Sequence, residues 1–429
     1  HLPGQQLPNA DAIVNPNCND CEFESKSLAG VGVIFYLMAA LRSWLIKQEW
    51  FQQHKLQEPV MANYLDLVAL GTVADVVPLD RNNRILVEQG LKRIRSGRCC
   101  AGIRALIRIS GRSAAKLSAV DIGFALGPRL NAAGRLDDIS IGIGMLLTDD
   151  ESLAQEIASE LDALNRDRRQ IESSMQREAD RHLTVFESLD EADENGDAEF
   201  PTAISLFDEN WHQGVVGILA SRIKERYHRP VICFALASDA PEETLLKGSA
   251  RSIPGFHIRD ALDLVAVQNP GLIEKFGGHA MAAGLSIQRT NIDEFTQCFN
   301  RVAQHSLSEQ ELQAVLVTDG ELAASEMTLP LAEILKVAQP WGQKMPEPTF
   351  DGIFNITFQK LVGESHLKLR LSPTGSEVQI VEAIAFNIDT AHWPNNDATQ
   401  IRIVYSLDVN EFRGSRTVQL MIKHIELVD

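Results

Sequence analysis

The sequence predicts an α/β protein of several domains that ends in a small β-barrel or sandwich, and three observations carry the prediction. Apolar residues recur at three- and four-residue steps without a break from Glu151 to about Leu189, an acidic run follows at Asp190–Glu199, and from Phe350 the pattern becomes strict alternation. At 429 residues, 45% of them hydrophobic, the chain has the apolar content for roughly two to four domains of ordinary size. Disorder and a single small module are excluded.

Residues 1–150 mix helix-like and strand-like patterns, with glycine turns at Gly71, Gly97, Gly111, Gly127 and Gly134, and read as α/β. Their longest apolar run, Leu28–Leu41, is shorter than the ~20 residues a bilayer span needs and stops at Arg42, so a buried helix is expected and no membrane segment. In residues 151–189 the positions Leu153, Ile157, Leu161, Leu164, Ile171, Met175, Ala179, Leu183 and Phe186 mark one long amphipathic helix. At about 1.5 Å per residue it would span about 50 Å, enough to connect two domains. The stretch DEADENGDAE at Asp190–Glu199 is a solvated boundary.

A second α/β unit covers 200–308, with strands expected at Ala203–Phe207 and Pro230–Phe234 around a helix at Val215–Arg226. In 312–429 the alternation of Phe354, Ile356, Phe358, then Leu367, Leu369, Leu371, then Ile401, Ile403, Tyr405, Leu407, then Val418, Leu420, Ile422 gives the barrel or sandwich. The aromatic residues Phe354, Phe358, Phe386 and Phe412 either stack nucleobases or fill its core.

Six cysteines in a chain this long make no disulfide framework, and the pattern suits a reducing compartment. Cys18 and Cys21 have the spacing of half a zinc site, but no second pair follows, and Cys99 and Cys100 are adjacent; incidental thiols are the favoured reading. The formal charge is −18. Yet no acid occurs between Gln89 and Val120, where Lys92, Arg93, Arg95, Arg98, Arg104, Arg108, Arg112 and Lys116 form a basic strip that could track phosphates on an acidic protein.

Asp75 is a lone carboxylate in the apolar stretch Leu67–Leu79. If buried it needs a partner, and a helix cap and a metal ligand are both open. Two segments look built to hold phosphate: Gly127–Leu136, a tight turn presenting Arg129, Asn131 and Arg135, and Lys247–Ser252, with Ser249, Arg251 and Ser252 among backbone donors. A structural salt bridge in a turn is the bland alternative for each. The stretch Trp211–Gly217 puts His212 just before a helix N-terminus, where anions are favoured. In Phe276–Gly284 the glycines Gly277 and Gly278 allow a ligand or another backbone to lie close, and His279 stands alone among small residues.

Together these motifs resemble the DHH/DHHA1 phosphoesterase superfamily, most closely its single-strand-specific DNA exonucleases, over essentially the whole chain. Gly71–Asp75 looks like the fourth family motif, Gly277–Gly284 like the DHHA1 signature, and His1-Leu2-Pro3-Gly4 like the tail of the third motif, with its last His as the first residue here. The resemblance implies the C-terminal part of a DHH domain at 1–150, the connecting helix at 151–189, a DHHA1 domain at 200–308 and an OB-fold at 312–429.

It further implies 5′ to 3′ hydrolysis of single-stranded DNA in recombination and repair by two Mn²⁺ or Mg²⁺ ions. Asp75 and His1 would be ligands and His279 would face the scissile region. Arg129 or Arg135, Asn131, His212, Ser249, Arg251, Ser252, Gly277 and Gly278 would bind substrate. Single-stranded DNA, a helicase and a single-strand-binding protein are the implied partners of a cytoplasmic monomer. The remaining family aspartates would fall before His1, so a longer enzyme is expected, with strand binding but no hydrolysis by the sequence as given. The alternatives are an oligonucleotide or cyclic-dinucleotide phosphodiesterase of the same superfamily, and a non-catalytic single-strand-binding module.

Overall fold

The computed structural model describes residues 7–192, 200–238, 240, 244–363, 365–375, 379–388, 390, 392–395, 397–412 and 414–428. His1, and with it one expected metal ligand, lies outside the described residues, as does most of Asp190–Glu199. The chain opens with helices α1 (Gly30–Lys47), α2 (Trp50–Gln53), α3 (Leu65–Ala74), α4 (Arg81–Arg95), α5 (Ala101–Ile109), α6 (Ala119–Asp121), α7 (Gly127–Leu136), α8 (Ser140–Leu147) and α9 (Glu151–Ala192). Among the described residues no strand precedes Ile204, which corrects the strand-like reading of the first 150. Val68, Ala69, Leu70 and Thr72 are buried within α3, and burial rather than β-branched propensity sets their conformation.

Leu28–Leu41 does fall in a helix, but α1 buries only Gly32, and Ile34, Leu37, Leu41 and Trp44 are 49–58% exposed. The expectation of a buried helix is therefore wrong. The helix is apolar on all sides, whereas α3, against which Val31 packs at Gly71, covers one side only. By length and composition α1 would also suit a membrane crossing.

Helix α9 is continuous over 42 residues, about 63 Å at the usual rise. Its buried stripe runs through Ala154, Ala158, Leu161, Met175, Ala179 and Leu183, while Leu153 is 45% exposed, so small residues replace the leucine expected near its start.

The chain divides into a first unit of residues 1–130, 143–158 and 316–429 and a second of 131–142 and 159–315. In the first, α3 and α4 pack closely, with Val68, Ala69, Val87, Leu91 and Ile94 at most 2% exposed. Its C-terminal part is a closed barrel in the order β10-β8-β7-β6-β9, built from β6 (Phe350–Val362), β7 (His366–Pro373), β8 (Val381–Ala385), β9 (Gln400–Phe412) and β10 (Ser415–Leu427). Inside lie Phe354, Leu367, Leu369, Leu371, Ile401, Ile403, Tyr405 and Leu420. Phe358 departs from the alternation: a register shift between Ile356 and Phe358 turns it onto the outer face, 42% exposed.

The second unit is built on a sheet in the order β1-β2-β3-β5-β4, where β1 (Ile204–Phe207) and β2 (Val231–Leu236) are parallel and β3 (Leu245–Arg251), β5 (Ala282–Gln288) and β4 (Lys275–Gly278) follow antiparallel. One face packs Phe234, Leu246, Ala250 and Ile287 against α11 (Ile258–Gln268) and α12 (Ile292–Ser306). The other packs Leu206, Val231 and Cys233 against α9 and α10 (Val216–Tyr227). A further helix, α13 (Leu329–Ala338), belongs to the first unit and packs Leu331 and Leu335 against the barrel core.

Candidate nucleic-acid interface

Lys247–Ser252 is not a turn: residues up to Arg251 form β3, whose backbone pairs with β2 and β5. Its N–H groups are therefore committed to the sheet, and the expectation of backbone donors is corrected. Alternation produces the polar group instead. Lys247, Ser249 and Arg251 share one face while Leu246, Gly248 and Ala250 enter the core, so Ala250 touches no polar contact. Ser252 lies outside this arrangement, 1% exposed with its hydroxyl donated to the Phe256 carbonyl at 2.6 Å.

On that face the side chains meet the start of α10. Arg251 donates from Nε to Ser221 Oγ at 3.1 Å and from Nη1 to Ser249 Oγ at 3.0 Å and to the Ala250 carbonyl at 2.8 Å. A Cβ at Gly217 would sit 2.8 Å from Arg251 Nη2 and 2.9 Å from Ser249 Oγ, so only glycine leaves them this place. Among the described residues the Gly217 N–H has no acceptor and Arg251 has no carboxylate partner. Burial first, and then the nearby charge of Arg135, hold the Arg251 guanidinium below its ordinary pKa. Free donors, an unneutralised guanidinium and a helix N-terminus in one place have the chemistry to receive an anion.

Gly127–Leu136 is likewise a helix and not a tight turn; it runs on from Ala119–Asp121 through a π-helical stretch at Ile122–Leu126, which stands just before Pro128. Helical geometry separates its polar residues. Arg129, in the first unit, donates to the Ala125 carbonyl at 2.7 Å. Arg135, in the second, donates to the Gly214 carbonyl at 3.3 Å, and of the two it is the one whose charge acts on Arg251. Asn131 stands one turn before Arg135, half-buried. His212 accepts from the Gly214 N–H at 3.0 Å and so shapes the loop entering α10, while Lys247 reaches Gln213 at 2.9 Å.

Beyond β3 the same face carries Gly284, paired with Ser249 and with Gly277, and both glycines are exposed. Gly278 and exposed His279 close the adjoining turn, the His279 N–H meeting the Ala282 carbonyl at 2.8 Å. The structure thus groups Ser249, Arg251 and Arg135 with the His212 loop, and a bare glycine floor on the neighbouring strands. Sequence reasoning missed Ser221, though it lies one helical turn after Gly217.

In the first unit Asp75 is exposed at the C-cap of α3, and the premise that it is buried is corrected. It cannot be an N-terminal cap, since it stands at the negative end of the helix, where the dipole disfavours a carboxylate and favours a cation. Val76 follows with φ 54°, a strained setting for a β-branched residue. Among the described residues no group of three or more His, Cys, Asp or Glu could hold a metal ion.

The basic strip is mostly neutralised by acids from elsewhere in the chain. Glu88 pairs with Lys92 and Arg95, Glu151 with Arg104 and Arg108, Asp121 with Arg112, and Glu411 with Lys116. A phosphate-tracking strip is therefore not what these residues form. On the barrel, Phe354 is 1% exposed and belongs to the core, whereas Phe358, Phe386 and Phe412 are 42, 51 and 64% exposed. Arg370 lies 5.5 Å over the Phe358 ring, and Lys360 pairs with Lys368 in the next register.

Comparison with known proteins first defines a class: residues 200–305 match the DHHA1 domain and residues 318–424 the RecJ OB domain. The single-stranded-DNA-specific exonuclease RecJ of Dickeya dadantii is 56% identical over 425 residues, covering 99% of this chain and 72% of that protein. The Escherichia coli protein of the same name is 53% identical with the same coverage. A crystal structure of Thermus thermophilus RecJ with Mn²⁺ superposes with a TM-score of 0.75 at 28% identity, covering 100% of this chain and 57% of that one. The chain belongs to the RecJ family.

Proposed function

We propose that this chain holds single-stranded DNA for hydrolysis from its 5′ end, the strand's terminal phosphate seated by Ser249, Arg251, Arg135 and the first turn of α10. The observation that carries the reading is the Arg251 guanidinium, without a carboxylate partner among the described residues and set against the free N–H of Gly217. The exposed Phe358 and Phe386 offer rings to unpaired bases, and Lys360, next to Lys368 and Arg370 that are paired with Glu382, offers charge to the backbone. Duplex DNA, with its bases stacked and paired inside, gives such rings nothing to hold. The family membership adds repair and recombination as the setting, the cytoplasm as the compartment, and a helicase and a single-strand-binding protein as suppliers of strand to a monomer.

Thermus relatives have been solved with Mg²⁺ and Mn²⁺. Of the described residues Asp75 has the chemistry for such an ion, an exposed oxygen donor at the negative end of a helix. It is one ligand where such an ion needs about six. Asp75→Asn is expected to lower whatever Mn²⁺-dependent digestion of a 5′-labelled oligothymidylate the chain supports by at least about tenfold while leaving strand affinity in EDTA unchanged. Equal digestion by both proteins would remove Asp75 from the reaction. Should neither digest while both bind the strand, the chain is a binding module.

Phe358→Ala is expected to weaken oligothymidylate binding by about 1–3 kcal/mol without unfolding the barrel, because the ring already faces solvent. Unchanged affinity in an anisotropy titration would exclude this ring as a stacking platform.

A further inference from the structure

Helix α9 carries a buried polar cluster that the phosphate seat does not use directly. Asn165, Arg168 and Glu172 lie on successive turns of one side of the helix, at the spacing where side chains meet. Arg168 donates from Nη2 to Asn165 Oδ1 at 3.0 Å and from Nη1 to Glu172 Oε2 at 3.1 Å. The other Glu172 oxygen accepts from Arg222 Nε of α10 at 3.3 Å. Glu172 is 9% exposed and Asn165 1%. Arg135 also lies within the field of Glu172, and Arg251 within that of Arg135.

Glu172 therefore joins α9 to α10 at Arg222, the residue after the Ser221 that accepts from Arg251 Nε; Arg222 itself is 56% exposed and also pairs with Glu225. Burying Asn165, Arg168 and Glu172 is costly, and the buried Arg168 Nε and Asn165 Nδ2 have no partner among the described residues, so apolar side chains would pack α9 on α10 at less expense. What the costlier arrangement supplies is a fixed bond from α9 to the turn of α10 that carries Ser221. Glu172 holds that turn in place, and with it the hydroxyl that orients Arg251.

We infer that Glu172 is a positioning residue for the phosphate seat, acting through Arg222 and the neighbouring Ser221 of α10, so that the long helix takes part in gripping the strand's end. The inference rests on the reading of Ser249 and Arg251 as that seat. It also runs against simple charge counting. Removing a carboxylate makes the region more positive and, by long-range attraction alone, would tighten binding of every oligonucleotide; loss of positioning weakens only the grip on the terminal phosphate.

The test uses the full chain in EDTA and anisotropy titrations of two oligothymidylates of one length, with a 5′-phosphate or a 5′-hydroxyl. The wild type is expected to prefer the phosphate by about tenfold or more, and Arg251→Ala to abolish the preference. Glu172→Gln is expected to cut the preference at least fivefold with hydroxyl-end affinity within about twofold of wild type, and Glu172→Asp, which keeps the charge, to restore part of it. If Glu172→Gln melts below the assay temperature, the double variant Arg168→Gln with Glu172→Gln leaves no unpaired member of that pair and is expected to show the same cut. A preference that survives in the folded variant, or a change shared equally by both oligonucleotides, overturns the inference while the Arg251→Ala result keeps the seat. Should Arg251→Ala retain the preference, the seat falls, and the role given to Glu172 falls with it.

Discussion

Alanine at Gly90 will destabilise the first unit by about 3 kcal/mol or more, although helix propensity alone favours the change by about 1 kcal/mol. Gly90 lies on the buried side of α4, where an added Cβ would meet the Leu65 carbonyl oxygen at 2.1 Å and Ala69 Cβ at 2.4 Å. Both obstacles are fixed to the backbone of α3, and neither can rotate away as the end of a long side chain could. The two helices must separate, and the separation opens a contact lined by Val68, Val87 and Leu91, each at most 2% exposed. For a unit of this size about 3 kcal/mol corresponds to a fall of about 6–12 °C in melting temperature. Because Asp75 caps α3, the shift also carries the carboxylate out of place, and any Mn²⁺-dependent digestion the chain supports is expected to fall below the melting temperature as well as above it. A calorimetric scan in which Gly90→Ala melts with the wild type would show that the helices do not approach as closely as this.

What was legible in the sequence followed from periodicity. Alternation in residues 350–422 is local, so the barrel strands could be read directly, and the unbroken stripe of α9 likewise. Phe358 was misplaced because a bulge is a property of two paired strands and leaves no mark on one. Glycine and serine make Lys247–Ser252 look like a turn in sequence; in the strand Gly248 turns into the core against Phe234 and Leu285, and Ser249 lies on the opposite face beside Arg251. The site residues were therefore found while their geometry was not. Arg251 and Ser249 stand together through alternation, Arg135 joins them through the fold, and Ser221 and Glu172 enter from two different helices. The basic strip failed for a related reason. Absence of acids within 30 residues says nothing about Glu151 or Glu411, which tertiary structure brings to it.

Alanine at Gly217 will produce the opposite pattern from Gly90→Ala: an undiminished fold and a binding loss of about ten- to a hundredfold. Here the Cβ would meet Arg251 Nη2 at 2.8 Å and Ser249 Oγ at 2.9 Å, the next atom being 3.6 Å away. A guanidinium end moves cheaply, and Gly217 lies in the first turn of a helix, where alanine is the better residue. Stability should hold or rise by up to about 1 kcal/mol. The cost falls on function, since a displaced Arg251 gives up its bonds to Ser221 and Ser249. Losing one well-aligned charged hydrogen-bond donor is worth about 1.5–3 kcal/mol, which is the ten- to hundredfold above. The loss should fall on the 5′-phosphorylated oligonucleotide, with the 5′-hydroxyl strand bound nearly as before. A thermal melt beside the two titrations decides it: equal loss on both strands would mean that the methyl group disturbs the whole sheet face, and wild-type affinity on both would place the terminal phosphate somewhere other than against α10.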